Sequence, residues 1–217
     1  MFPKTDWRPN YYSCVDTAVL PDSRHRINRM ISEQESLKCF FPLSLVPHSD
    51  AITSTHVPDY INPTTNSWFF ETETYCGEEP KLNVFSAPGT HSITEAMTVT
   101  IVLLQLAVKF GYRRLFLIGC DTEYIIPKNT VNMDVNSCRV DKRLILDEDN
   151  DPNHFDPSYF GKGRVWHTPN TDLMLMHYRL SKQKCDEWGI EIYNAGEGGA
   201  LDVFPRVRLL DAISEWK

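Results

Sequence analysis

The sequence predicts an α/β fold, a mostly parallel sheet with helices on its faces. Three observations carry this reading. A strand, a helix and a strand follow one another over residues 10–45. A helix that is apolar on most sides then runs straight into an apolar strand over 92–119. A second long helix and strand succeed each other over 169–193. Alternating elements across short joints mark layered α/β domains.

Taken in order, Asn10–Asp16 is rich in strand formers and ends on a carboxylate. Pro21–Glu35 spaces Ile27, Met30 and Ile31 among charges, the pattern of an amphipathic helix. Leu37–Leu45 reads as a strand shortened by Pro42. Residues 46–90 lose regular patterning and are expected to form an irregular insertion, with one short strand near Trp68–Glu73. Ser92 and Glu95 have capping-box spacing for the apolar helix that follows, and Gly111 is placed to stop it. The strand Arg114–Gly119 comes next. Residues 122–168 read as a long polar loop, a length that is usually functional inside a compact domain. Pro169 opens the next helix, Gly189 ends it, and Ile190–Tyr193 is the following strand. Asp211–Trp216 closes as a short helix. With 217 residues and no repeat or linker, a single domain over 1–217 is expected.

Composition narrows the function classes. A net charge of −7 implies no basic face for nucleic acid, though it permits a pocket for one nucleotide. The longest apolar run, Ile101–Val108, is interrupted by Gln105 and is too short to span a bilayer. The first residues, MFPKTDWRPN, lack a secretory core. None of the six cysteines forms a C-x-x-C pair, and Cys14, Cys39 and Cys120 lie in apolar stretches, so reduced thiols and a cytoplasmic location are expected. Serine-hydrolase elbows, zincin helices and Walker loops are missing from the sequence.

In open α/β sheets, ligands bind beyond the carboxyl ends of the strands. Asp16, Asp121 and Asn194 all follow strand ends and are expected to face one crevice. Asp121 reads first as a capping or turn aspartate after Gly119, and secondarily as a group for a ribose hydroxyl, a metal ion or a polar substrate group. DPNHFDPSYFGKGRVWHTPN, residues 151–170, concentrates Asp151, His154, Asp156, Tyr159, Lys162 and His167. Histidine titrates near neutrality and suits proton transfer to or from a hydroxyl. A solvated loop pinned by its aromatics is the competing reading. The two histidines, thirteen residues apart, have no recognised metal-ligand spacing. AGEGG at 195–199 reads first as a turn and secondarily as a cradle for an anion.

MTVTIVLLQLAVKFGYRRLFLIGCDTEY resembles a signature of the bacterial and archaeal hydroxymethylpterin-diphosphokinase-like family, which includes motility-associated factors and proteins of surface-polysaccharide gene clusters. DPNHFDPSYFGKGRVWHTPN and IYNAGEGGALDVFPRV resemble the same family in the same order, and WRPNYYSCVD resembles its second-strand region. The family is similar in fold to small bacterial sialyltransferases that move sialic acid from CMP-sialic acid to a sugar hydroxyl. The resemblance implies a Rossmann-like three-layer sandwich and a glycosyltransferase-like activity with a nucleotide-sugar donor and a glycan acceptor, in surface glycan or lipopolysaccharide synthesis. His154, in Asn153-His154-Phe155, would be the base, and Tyr159 would lie near the departing phosphate. Asp16, Asp121, Asn194 and Gly196 would bind the nucleotide. Family members open with a loop resembling G-N-G-P-S-L, which this chain lacks, so the first strand of the sheet is expected to be absent. No cofactor is firmly implied. Mg²⁺ enters with a second reading, pyrophosphoryl transfer from ATP to a pterin alcohol. A third reading is a non-catalytic fragment that self-associates to cover an exposed sheet edge.

Overall fold

The computed structural model describes residues 6–17, 19–45, 55–73, 85–94, 96–128, 130–132 and 143–214. They form two compact units, each assembled from two stretches of chain. Met1–Phe69 and Tyr124–Asn170 make the first, and Phe70–Glu123 and Thr171–Lys217 the second.

The first unit opens with β1 (Tyr11–Ser13), α1 (Val19–Glu33) and β2 (Lys38–Pro42). β1 and β2 pair in parallel, with Tyr11 opposite Lys38, so α1 is the crossover between them. Leu20, Ile27 and Ile31 on the inner stripe of α1 pack with Cys39 and Phe41, the inward alternate residues of β2. The amide of Asn66 donates to the carbonyls of Ile31, Gln34 and Leu37, satisfying acceptors at the end of α1 and in the turn that leads from it to β2. β3 (Ser44–Leu45) pairs antiparallel with β4 (Thr55–His56), followed by a 3₁₀ turn at Val57–Asp59. β5 (Ser67–Phe70) is the third strand of the sheet, in the order β1-β2-β5.

In the second unit β6 (Thr72–Glu73) and β7 (Ile93–Thr94) form a parallel pair. This pairing moves the expected helix start. Ile93 and Thr94 are held extended, so α2 begins later, at Val99, and runs to Lys109 with Thr98 as its N-cap. Ser92 does not cap it; its hydroxyl bonds Glu73 instead. Gln105, fully buried in α2, accepts from the Ser86 N–H and hydroxyl and from the Thr94 N–H, and donates to the Thr94 carbonyl. The residue that interrupts the apolar run is therefore a polar clamp. At Gly111 the backbone turns left-handed (φ +94°), with the Tyr112 N–H on the Ala107 carbonyl and the Gly111 N–H on that of Val108. This C-cap leads directly into β8 (Arg114–Leu117).

The chain then returns to the first unit. Residues 122–168, read as a polar loop, contain a three-stranded antiparallel sheet of β9 (Thr130–Asn132), β10 (Arg143–Leu146) and β11 (Val165–His167), in the order β11-β10-β9. Leu144, Leu146 and Trp166 supply its small core. These strands are too short, and too closely flanked by acidic residues, to show in the pattern.

α3 (Thr171–Glu187) and β12 (Glu191–Asn194) complete the second unit with α4 (Leu209–Ser214). Gly189 (φ +65°) repeats the capping arrangement of Gly111. β12 pairs in parallel with β8, Asn194 opposite Leu117, over a core that includes Ile101, Leu104, Tyr178 and Phe204. Helices and strands thus mix with parallel pairing in both units, as expected of an α/β chain. Among the described residues the strands fall into five small sheets, and no helix is long and apolar enough to cross a membrane.

Candidate functional site

Three of the expected site residues come together in the first unit. Asp16 follows β1. Its carboxylate accepts the Val19 N–H at 2.8 Å and its carbonyl accepts that of Leu20 at 3.0 Å, so it caps the first turn of α1. His154 and Tyr159 lie in the hairpin loop joining β10 to β11, whose base is closed by the Gly163 N–H on the Leu146 carbonyl.

Three aspartates organise this loop. Asp149 accepts the Lys162 N–H at 2.8 Å, and Gly161 passes so close that a Cβ there would lie 2.2 Å from its Oδ1. Asp156 accepts from the backbone and hydroxyl of Ser158, closing its own turn. Asp151 points inward and is 5 % exposed. Its Oδ1 accepts the Asn153 N–H at 2.9 Å, and its Oδ2 lies 2.7 Å from His154 Nδ1 and 3.3 Å from the Phe160 amide. The His154 ring stacks on Tyr159 at 4.4 Å and meets the edge of Phe160 at 5.1 Å. A carboxylate on Nδ1 selects the tautomer that leaves Nε2 as the basic nitrogen. The imidazole is thus held by two aromatic rings and by a buried acceptor.

Tyr159 lies near the end of β1, its ring partly open to solvent (37 % exposed) while its hydroxyl faces inward charges. Burial pushes its phenol up to about 12, reinforced by Cys14, Asp16 and Asp151 and opposed by Arg26 on α1. Arg164 donates to the Tyr159 carbonyl at 3.2 Å and pairs with Asp22 of α1 at 3.7 Å. Asp151 was visible in the sequence only as one acid among several, and Asn153 and Arg164 went without a role. The D-x-x-H spacing is the one signal that could have singled out Asp151.

In the second unit Asp121, Asn194 and Gly196 form a cluster. Asp121 is exposed after Gly119 (φ +64°). Asn194 is buried, its amide donating to the Leu201 carbonyl and accepting the Gly196 N–H. That N–H is therefore engaged within the loop. Residues 196–200 press onto Asp121: the Ala200 N–H bonds its carbonyl at 2.7 Å, and a Cβ on Gly199 would lie 2.6 Å from its Cα.

Cys14, Cys39 and Cys185 are buried free thiols raised to about 12 by burial, and Cys120 is half-buried. Cys76, Cys138 and the His167 side chain lie outside the described residues. No group of three or more His, Cys, Asp or Glu suited to a metal ion occurs among the described residues. In comparisons with protein-family models, curated proteins and solved structures, nothing matches the chain.

Proposed function

We propose that the first unit carries the proton-abstracting site of a glycosyltransferase-like enzyme of Rossmann-like, three-layer architecture, using a nucleotide-sugar donor in surface glycan synthesis. The observation that supports it is the 2.7 Å contact of His154 Nδ1 with the buried Asp151. In the reaction, Nε2 of His154 takes the proton of an acceptor hydroxyl. The acceptor oxygen forms its bond to the anomeric carbon as the bond from that carbon to the phosphate oxygen breaks, and the nucleotide departs with the electron pair. The imidazolium formed is stabilised by the Asp151 carboxylate, as in other carboxylate–histidine pairs. Tyr159, its phenol raised to about 12, stays protonated at neutral pH and can donate to the departing phosphate. Asp16 is this unit's candidate contact to the nucleotide.

The test is calorimetric titration with CMP, CDP, GDP and ATP, with and without Mg²⁺, followed by a transfer assay with the donor of whichever nucleotide binds. His154→Ala is expected to lower kcat by roughly 10²-fold or more with donor KM little changed, and Asp151→Asn to lower it in the same sense. Binding of ATP alone, dependent on Mg²⁺, would replace this reading by pyrophosphoryl transfer. Silence with every nucleotide from folded protein would overturn both.

A further inference from the structure

Beside the Asp151–His154 pair, the first unit holds a pocket of about 400 Å³ lined by Ile125, Ile126, Pro127 and Leu146, with Lys128, Glu148, Asn150 and Pro152. That volume falls in the range of small-molecule sites. Ile125 and Ile126 are 62 % and 58 % exposed, so apolar surface here stays wet until something covers it. The pocket is also built onto the catalytic loop. The side chain of Asn153 brackets Ile125, accepting its N–H at 2.7 Å and donating to its carbonyl at 2.8 Å. The Asn153 N–H in turn bonds Asp151 Oδ1, while Oδ2 of the same carboxylate faces His154. One chain of hydrogen bonds therefore connects the pocket wall to the imidazole.

We propose that this pocket binds the alkyl chain of an amphipathic glycoside and so presents a sugar hydroxyl to His154. The presentation rests on the transferase reading above; the binding does not. Aliphatic walls give a bare sugar ring neither an aromatic face nor enough partners for its hydroxyls, and burying these unpaired is costly. An alkyl chain meets no such cost, and Lys128, Glu148 and Asn150 supply polar partners for the head group.

The test uses the full chain, ¹⁵N-labelled, titrated with hexyl β-D-glucopyranoside and with methyl β-D-glucopyranoside as the head-group control. The hexyl compound is expected to bind at least tenfold tighter, each methylene contributing up to about fourfold. Chemical-shift changes should gather at residues 125–128 and 146–153. Ile126→Asp, at an exposed position that spares the core, should reduce hexyl binding to the methyl level. Leu210→Asp, on the exposed side of α4, should leave it intact. Equal affinity for the two glycosides, no binding of either, shifts centred on α4, or full hexyl binding in Ile126→Asp would each overturn the proposal. Hexyl binding at this pocket without any sugar transfer would support the pocket and count against the transferase reading alone.

Discussion

Asp149, Asp151 and Asp156 sit within eight residues of one another, all near His154, and composition does not distinguish them. The folded loop does. Asp149 is taken by the Lys162 amide and Asp156 by its own turn, which leaves Asp151 turned inward against the imidazole. In the sequence, residue type makes His154 and Tyr159 candidates, and only the resemblance of the loop to a known family assigns them roles. Their acidic partner has only the D-x-x-H spacing to mark it, because its role follows from direction and burial. Glycines behave in the same way. Gly198 and Gly199 both have positive φ, +89° and +76°, yet a Cβ at Gly198 meets nothing within 4 Å and one at Gly199 collides with the Asp121 backbone. Gly198→Ala is expected to cost about 1 kcal/mol for the left-handed conformation alone. Gly199→Ala adds a steric clash and should cost about 3 kcal/mol. Urea unfolding of the two variants compares them, and equal losses would show that the close approach to Asp121 has no energetic weight.

At the scale of elements, helix ends were the most legible feature and helix starts the least. Gly111 and Gly189 were both expected to stop their helices, and both take left-handed conformations with paired capping bonds. A C-terminal glycine is a local signal, because few other residues accept that backbone. The start of α2 was not local. It depended on Ile93 and Thr94 pairing with Thr72 and Glu73, some twenty residues earlier. Gln105 belongs at this scale too, since it joins α2 to β7 and to the segment at Ser86 through four hydrogen bonds. Gln105→Leu keeps the volume but strands buried groups on Ser86 and Thr94. Each such group costs about 1–3 kcal/mol, so a loss of about 3 kcal/mol or more is expected. Thermal or urea unfolding measures it, and a near-neutral variant would mean that those groups find other partners.

At the scale of the whole molecule, the chain passes between its two units three times, near residues 69, 123 and 170. Each unit nevertheless has a core of its own: Leu20, Ile31 and Phe41 contribute to one, and Ile101, Tyr178 and Phe204 to the other. A chain joining residues 70–123 to 171–217 through a short Gly/Ser linker is therefore expected to fold by itself. It should retain the helical circular dichroism of α2 and α3 and unfold cooperatively. Loss of cooperativity in that chain would show that the second core needs the first unit.

The sequence pattern shows the α/β character, the positions of α1 and α3 to within a few residues, the end but not the start of α2, and the strands that follow these helices. Those properties rest on periodicity and on glycine, which act over one or two helical turns. The folded chain alone shows that 122–168 contains a β-sheet, that Asp16 belongs to the same unit as Tyr159, and that Asp151 holds His154. Each of these joins residues by direction, burial or long-range pairing, which a linear pattern does not record. The candidate residues of this loop are visible as residue types, and their arrangement follows from how the loop between β10 and β11 folds back on itself.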